Sequence, residues 1–320
     1  MTKYDLTHAR HDPAHCLAPG LFLSLKRGDR KKLKLDVVYQ LSEDETIEFS
    51  GPEPLGVDDM RILQGLVAMA GPVGIVLSDD PKTESGKQLR LFLEPRWESV
   101  TENALVVKGS FRNLAKEIGY ADTDGGKTFR DIRASIERLW KVSIIARQGT
   151  KRKGYRLLSE YASDEAEGKL FVALNPRLTQ AIMGERQHSR IEMQEVRALK
   201  TDPARLMHQR LSAWVDRGKK RRATIETLMA YVWPNACGPS GKRDRKAKIR
   251  KTLHEIEAVG WAIQEYAEGK YEITRPGPTS TPPRANGGVS PDQQRHPMTR
   301  NFATDKAFEQ NCDADPDYPR

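Results

Sequence analysis

The segment at residues 121–128, ADTDGGKT, has residue types that could bind the phosphates of a nucleotide. It fits the loose form of a phosphate-binding loop, in which backbone N–H groups cradle phosphates and a lysine, here Lys127, reaches the terminal ones. Such a loop follows a strand, whereas the pattern before this one predicts a helix. Asp122 and Asp124 would also repel phosphates. We therefore interpret the segment as a turn between two helices, and keep an ATP-driven motor as a rival hypothesis.

A second group of reactive side chains lies near the N-terminus, in HARHDPAHC. His8, His11, His15 and Cys16 could ligate a metal, but their spacing matches no standard zinc module. The three cysteines of the chain are far apart and predict neither a CxxC site nor a disulfide framework, which suits a reducing cytoplasm. We predict no metal, no cofactor and no enzymatic activity, and we interpret residues 1–34 as a basic N-terminal arm.

Basic side chains are concentrated in two segments that share one predicted order of elements. Residues 126–159 and residues 242–274 each predict a basic helix, a strand, a polar turn and a second strand. A helix fits the DNA major groove, where Lys and Arg reach both phosphates and base edges. The candidate DNA-binding residues are Lys127, Arg130, Arg138, Lys151, Arg152, Lys153, Arg243, Lys246, Arg250 and Lys251.

The helical spacing of the apolar residues predicts which basic side chains face solvent. Opposite the apolar stripe of the first helix lies a narrow basic face of Lys127, Arg130, Ala134, Arg138 and Lys141. Away from the stripe of the second helix, or flanking it, lie Arg243, Ala247, Arg250, Lys251 and His254. The second helix is longer and more densely charged. We therefore expect it to supply more base contacts, while the first binds the DNA backbone or a partner subunit.

The elements around these segments predict an α+β fold with tandem winged-helix domains, each a helix-turn-helix plus a β-wing. We place the first domain at residues 35–165 and the second at residues 166–275. The first domain is expected to contain strands at 35–40, 46–50, 74–77, 88–93 and 104–108, and a helix at 58–70. Residues 276–320 are rich in proline and contain, among Ile, Leu and Val, only Val289, which predicts a disordered C-terminal tail.

Composition points to a polyanionic partner. The formal net charge is +9 and the pI is about 9.4, a balance that favours nucleic acid when the basic residues cluster. The N-terminal sequence MTKYDLTHARHD has no apolar signal core, and no apolar run approaches the roughly 20 residues that span a bilayer. We therefore expect a cytoplasmic bacterial protein with no membrane partner.

Several long strings of the chain resemble one protein family. They include HDPAHCLAPGLF, IEFSGPEPLG, RILQGLVAMAGP, RLFLEPRWE, ERLWKVSIIA, LLSEYASDEA, VALNP and GKYEITRP. Together they resemble the replication protein C family, the replication initiators of IncQ-type broad-host-range plasmids. The resemblance covers the chain from about His8 to Pro276.

The resemblance implies a non-enzymatic initiator with two winged-helix domains. Such a protein binds directly repeated sequences, called iterons, in duplex DNA at the vegetative origin and promotes opening of the neighbouring AT-rich DNA. The resemblance also implies a plasmid-encoded helicase and primase as partners, and a homodimer is a further possibility. A winged-helix transcriptional repressor, which could regulate its own gene, remains the alternative, because the same domains serve both functions.

Overall fold

The structure is a computed structural model that describes residues 6–26, 28–73, 75–77, 104–123, 125–164 and 168–277. In chain order the helices are α1 (Pro13–Leu17), α2 (Asp29–Lys32), α3 (Val57–Val73), α4 (Phe111–Glu117), α5 (Gly126–Lys141), α6 (Pro176–Met183), α7 (Met193–Ala198), α8 (Asp202–Trp214), α9 (Ile225–Val232) and α10 (Pro239–Glu257). The strands are β1 (His8–His11), β2 (Phe22–Leu23), β3 (Leu35–Gln40), β4 (Glu45–Gly51), β5 (Leu55–Gly56), β6 (Ile75–Leu77), β7 (Ala104–Ser110), β8 (Ser143–Gln148), β9 (Lys151–Arg156), β10 (Leu158–Asp164), β11 (Lys169–Leu174), β12 (Ser189–Glu192), β13 (Lys220–Thr224), β14 (Ala262–Ala267) and β15 (Lys270–Thr274).

The C-terminal part of the described chain has the order helix, strand, helix, helix, strand, strand, from α8 to β15. Local sequence explains where its helices begin. The Thr201 hydroxyl accepts from the Ala204 N–H at the start of α8, and the Thr224 hydroxyl accepts from the Thr227 N–H at the start of α9. Its three strands form one antiparallel sheet in the order β13-β15-β14. We call α8 to β15 the second unit.

The first unit, α3 to β9, differs from the second in how its hairpin is paired. The β8–β9 hairpin extends a four-stranded sheet in the order β3-β4-β8-β9. Register runs from Glu45 opposite Gln148 to Ser50 opposite Ser143. A second four-stranded sheet, β10-β11-β7-β6, flanks the helices. The predicted strands at 35–40 and 46–50 and the helix at 58–70 are confirmed, and the predicted strand at 88–93 lies outside the described residues.

The N-terminal residues pack into the core, which corrects the interpretation of residues 1–34 as an arm. β1 pairs with β12, with His8 opposite Glu192, and the residues of α1 after its proline are buried. Apolar side chains such as Leu21 occur among the polar residues of this stretch and are fully buried. Lys31 and Lys32 of α2 are exposed as predicted, whereas Arg30 is partly buried and bonds to Asp59.

The two units share one hydrophobic core rather than separating at residue 165. One cluster of buried residues extends from Leu6 to Ile273. The predicted boundary between residues 165 and 166 falls inside the β10–β11 hairpin, where Leu158 pairs with Leu174. A strand pair cannot be divided between domains without breaking its hydrogen bonds, so the boundary is corrected. The predicted tail, apart from Pro276 and Gly277, lies outside the described residues.

Candidate nucleic-acid interface

The exposed strip of α5 is narrow and basic. Ile132, Ile136 and Leu139 are buried against the core, while Lys127 and Arg130 on the other side are exposed. One flank of the helix contacts β10, where the Trp140 and Tyr161 rings meet edge to face at 5.9 Å. The strip that remains open to a ligand is formed by the exposed Lys127, Arg130, Asp131 and Lys141, with the partly buried Ala134 between them.

Arg138 does not belong to that strip, which corrects its predicted placement. Its Nε donates to Oδ1 of Asp59 at 2.9 Å, and its Nη2 donates to the Ser135 hydroxyl at 2.8 Å. The Asp59 side chain is completely buried, and the Arg138 side chain is only 15% exposed. Asp59 also accepts from Arg30 at 3.0 Å. Arg138 therefore neutralises a buried carboxylate and ties α5 to α3.

The hairpin that follows α5 carries its own basic group. Lys151, Arg152 and Lys153 lie in β9 and are exposed. Gly149 forms the turn with a positive φ of 56°, which favours glycine over other residues. Because side chains alternate along a strand, Lys151 and Lys153 point to one face of the hairpin and Arg152 to the other. The three predicted residues are therefore close in sequence but do not form one contact surface.

The exposed face of α10 carries more exposed Lys and Arg side chains than any other helix in the described residues. Arg243, Arg250 and Lys251 are exposed, opposite the buried stripe that includes Ile249 and Leu253. Asp244 lies among them and is also exposed. The sequence prediction missed two further exposed lysines, Lys242 and Lys248. Lys242 lies in the first turn, where α10 extends past the core, and Lys248 lies at the edge of the helix face.

Lys246, another predicted contact, forms an ion pair within the protein. Its Nζ lies 2.6 Å from Oε1 of Glu226 at the start of α9. The neighbouring Arg245 donates to the carbonyl oxygen of Asn235 at 2.6 Å and so fixes the link between α9 and α10. Lys246 stays 39% exposed and can approach a phosphate, but its pairing with Glu226 reduces the charge that it presents.

Residues 121–123 and 125 belong to a turn that uses its own carboxylate, and residues 126–128 are the first residues of α5. Oδ1 of Asp122 accepts from the Gly125 backbone N–H at 2.8 Å, so this amide is occupied by the protein itself. A β-carbon on Gly125 would lie 1.9 Å from Oδ2 of Asp122, which explains the glycine there. The segment joins α4 to α5, as predicted, rather than following a strand.

The histidine cluster is buried beneath the sheet that carries the first hairpin. His11 and His15 meet edge to face at 5.6 Å, and His15 packs against Phe49 of β4. Removal of water from the charged form lowers the pKa of His11 to about 4 and that of His15 to about 3. Within the described residues, no group of three or more His, Cys, Asp or Glu side chains is placed to hold a metal ion.

A buried ion-pair network adjoins these histidines. Arg177, at the start of α6, donates from Nε to Asp12 at 2.9 Å and from Nη1 to Glu45 at 2.5 Å. Asp12 also caps α1 by accepting from the Ala14 N–H. The network joins the N-terminal residues, the β3-β4-β8-β9 sheet and α6.

None of the described helices has both the length and the apolar composition to span a bilayer.

Comparison with solved structures shows the fold. Domains 2 and 3 of RctB align with 82% of this chain and 97% of theirs, with a TM-score of 0.52 and 12% sequence identity. A second structure of those domains gives a TM-score of 0.51. The Pi initiator protein, solved in complex with iteron DNA, aligns with 85% of this chain at 13% identity and a TM-score of 0.45. The helices and strands of this chain are thus arranged as they are in the RctB domains.

Sequence comparison shows the family. No curated protein matches the chain. A family model described as replication protein C matches residues 3–277, a range that includes all of the described residues and most of the chain. The chain therefore belongs to the replication protein C family.

Proposed function

We propose that this chain is a plasmid replication initiator that binds iterons in duplex DNA at the vegetative origin. One observation carries the proposal. Two helices, α5 and α10, each present an exposed basic face and each lead directly into a β-hairpin. A basic helix of this kind can lie in the major groove while the hairpin after it meets the backbone alongside. Membership of the replication protein C family supports replication as the process.

We further propose that each unit is a winged helix. The order α8, β13, α9, α10, β14, β15 supports this interpretation for the second unit, with β14 and β15 as the wing. In the first unit α3, α4 and α5 precede the β8–β9 wing. Two DNA-binding helices in one chain are compatible with direct repeats, because each helix can bind one segment of the major groove within the same repeat.

The initiator is proposed to act without catalysis in the bacterial cytoplasm. After binding, it promotes opening of neighbouring AT-rich DNA, and a plasmid-encoded helicase and primase act on the opened strands. A homodimer is a further proposed partner state. These steps rest on the family resemblance and on the match to replication protein C. Nucleotide binding by the purified chain, through residues 121–128, would contradict the non-enzymatic proposal.

The direct test of DNA binding is a salt-controlled titration with origin DNA. We expect Arg243→Ala and Arg250→Ala each to weaken binding by about 1–3 kcal/mol, because each removes an exposed contact from α10. Arg320→Ala, a change of the same type at the C-terminus, is the control. Equal affinities for all three variants would refute the assignment of α10 as the reading helix.

A transcriptional repressor is the alternative, because the same basic helices would hold an operator. An origin-opening assay separates the two functions. An initiator exposes single strands in the AT-rich DNA beside the repeats, where a single-strand-specific reagent detects them. A repressor binds the same DNA and leaves it double-stranded.

A further inference from the structure

The sheet of the second unit has an exposed basic face that the helix patterns did not single out. Lys220 and Arg222 lie two residues apart in β13, so their side chains emerge on the same face. Their side chains are 63% and 62% exposed. In the register of the sheet, Arg222 lies opposite Glu272 of β15, which lies opposite Gln264 of β14. The face therefore extends across all three strands.

An exposed aromatic ring completes this face. The Arg222 guanidinium lies 4.8 Å from the centre of the Tyr266 ring, and Tyr266 is 43% exposed. The β14–β15 register shifts between Glu265 and Ala267, so Tyr266 occupies a bulge, a feature that re-aims a side chain. Stacking fixes the plane of the guanidinium, and the Arg222 side chain stays 62% exposed.

Among the residues that the structure describes, Glu272 is the carboxylate that pairs with both cations. Glu272 accepts from Nζ of Lys220 at 2.8 Å and from Nε of Arg222 at 3.0 Å. These two hydrogen bonds hold the pKa of Glu272 below its usual value, so the carboxylate is charged at neutral pH. The positive charges of Lys220 and Arg222 exceed the single negative charge of Glu272, so these three side chains together carry a net charge of +1. The next residue toward the N-terminus, Lys219, is exposed as well.

This face belongs to the same unit as α10, and direct contacts connect the two. β13 runs directly into α9 through Thr224, and the Ile225 N–H donates to the Gly269 carbonyl oxygen of the wing turn at 2.8 Å. The Lys246–Glu226 ion pair then joins α9 to α10. A duplex held by α10 is thus also fixed in position relative to β13 and the wing.

We propose that Lys220, Arg222 and Tyr266 form a second DNA-binding surface, which binds the phosphate backbone of duplex DNA beside the segment held by α10. Lys and Arg neutralise phosphates, and a tyrosine hydroxyl can donate to a phosphate oxygen. The charge complementarity favours a nucleic-acid backbone over an apolar protein surface. The inference rests on the proposed function, because it needs α10 on DNA.

Glu272→Gln gives the sharpest test, because it predicts a gain. The change removes the negative charge beside Lys220 and Arg222 and keeps the size of the side chain. We expect the full-length variant to bind origin duplex about threefold more tightly at low salt, an effect of the size of one exposed charge interaction. Asp36→Asn, which removes one negative charge from the exposed edge of β3, is the control and should bind as the unchanged chain does.

The paired loss variant is Lys220→Ala/Arg222→Ala. We expect the slope of log affinity against log salt to become shallower by about 1 to 2, because each lost phosphate contact removes about 0.9. If Glu272→Gln binds like Asp36→Asn and the double variant keeps the full slope, the surface does not contact DNA, although the proposed function stands. If the unchanged chain fails to bind origin duplex, the proposed function itself fails. Thermal unfolding checks that each variant is folded.

Discussion

Arg130 and Arg138 lie on the same helix, two turns apart, but have opposite surroundings. Arg130 is exposed on the open strip of α5, whereas Arg138 is bonded to the buried Asp59. We expect Arg138→Ala to lower the free energy of unfolding by about 2 kcal/mol, because a charged hydrogen bond to a buried carboxylate is lost while Arg30 remains. Chemical denaturation followed by circular dichroism measures the change.

Arg130→Ala is the matched control for Arg138→Ala. It should change the free energy of unfolding by less than about 0.5 kcal/mol, as surface substitutions do, and should make the salt dependence of DNA binding shallower by about 1. The assignments of the two arginines would be reversed if Arg138→Ala weakened DNA binding without loss of stability and Arg130→Ala lowered stability instead.

His15 makes the stability of the protein sensitive to acid. Its pKa is about 3 in the folded chain, below the ordinary value of about 6.5 that applies to the unfolded chain. Between these values the unfolded chain binds the proton and the folded chain does not. The contribution of His15 to the free energy of unfolding is therefore fully present above pH 6.5. As the pH drops below 6.5, this contribution falls by about 1.4 kcal/mol for each pH unit.

His15→Phe removes this titration and keeps an aromatic ring beside Phe49. We expect the free energy of unfolding of the variant to fall less steeply between pH 6.5 and pH 4 than that of the unchanged chain. His254, whose side chain is 81% exposed, provides the control in His254→Phe. An identical pH slope in the unchanged chain and in His15→Phe would show that folding does not lower the pKa of His15.

At the residue scale, the sequence correctly predicted which basic side chains are exposed where exposure depends only on their position around the helix. Arg130, Arg243 and Arg250 emerge as the helical periodicity requires. Arg138 does not, because it lies at the border of its face and α3 covers that border. Lys246 is paired for a similar reason, since α9 supplies Glu226. The partner of Arg138 is Asp59 in α3, and the partner of Lys246 is Glu226 in α9. Because both partners lie on other helices, the periodicity within one helix could not reveal them.

At the scale of elements, the contact between α3 and α4 depends on a glycine. A β-carbon on Gly65 of α3 would lie 2.4 Å from Cγ2 of Ile118 and 2.8 Å from Cδ1 of Leu114. We expect Gly65→Ala to lower the free energy of unfolding by about 1–3 kcal/mol, because overpacking forces the two helices apart. Since α4 and α5 are joined by a short turn, the shift should also weaken DNA binding through α5.

Gly71→Ala is the matched control in the same helix, because a β-carbon there meets no atom within 4 Å. It should change stability by less than about 1 kcal/mol. Thermal unfolding of the two variants side by side measures the difference. Equal unfolding temperatures would mean that α3 and α4 are not in close contact.

Elements were predictable from the sequence, and their pairing was not. Caps, glycines and apolar periods are local, so the helix that begins after Ser110 and the β8–β9 hairpin follow from nearby residues. The pairing of β1 with β12 and of β4 with β8 joins residues about a hundred or more positions apart. Nothing in a single strand specifies its distant partner, and for that reason residues 1–34 were interpreted as an arm.

At the scale of the whole molecule, the two basic helices belong to one connected structure. The core cluster extends through both units, and Arg177 ties the N-terminal residues to the first sheet through Asp12 and Glu45. A connected structure can hold α5 and α10 in a fixed relation, which a site made of two groove segments requires. This arrangement supports the proposal of a single chain that holds one repeat with both units.

We propose that this chain binds repeated origin DNA through α5 and α10. The most direct measurement is footprinting of the full-length protein on the origin region of its own replicon, at fixed salt. We predict protection that recurs with the period of the direct repeats and is lost in a variant that combines Lys127→Ala, Arg130→Ala, Arg243→Ala and Arg250→Ala. Absence of protection over the repeats, or protection that the combined variant retains in full, would contradict the claim.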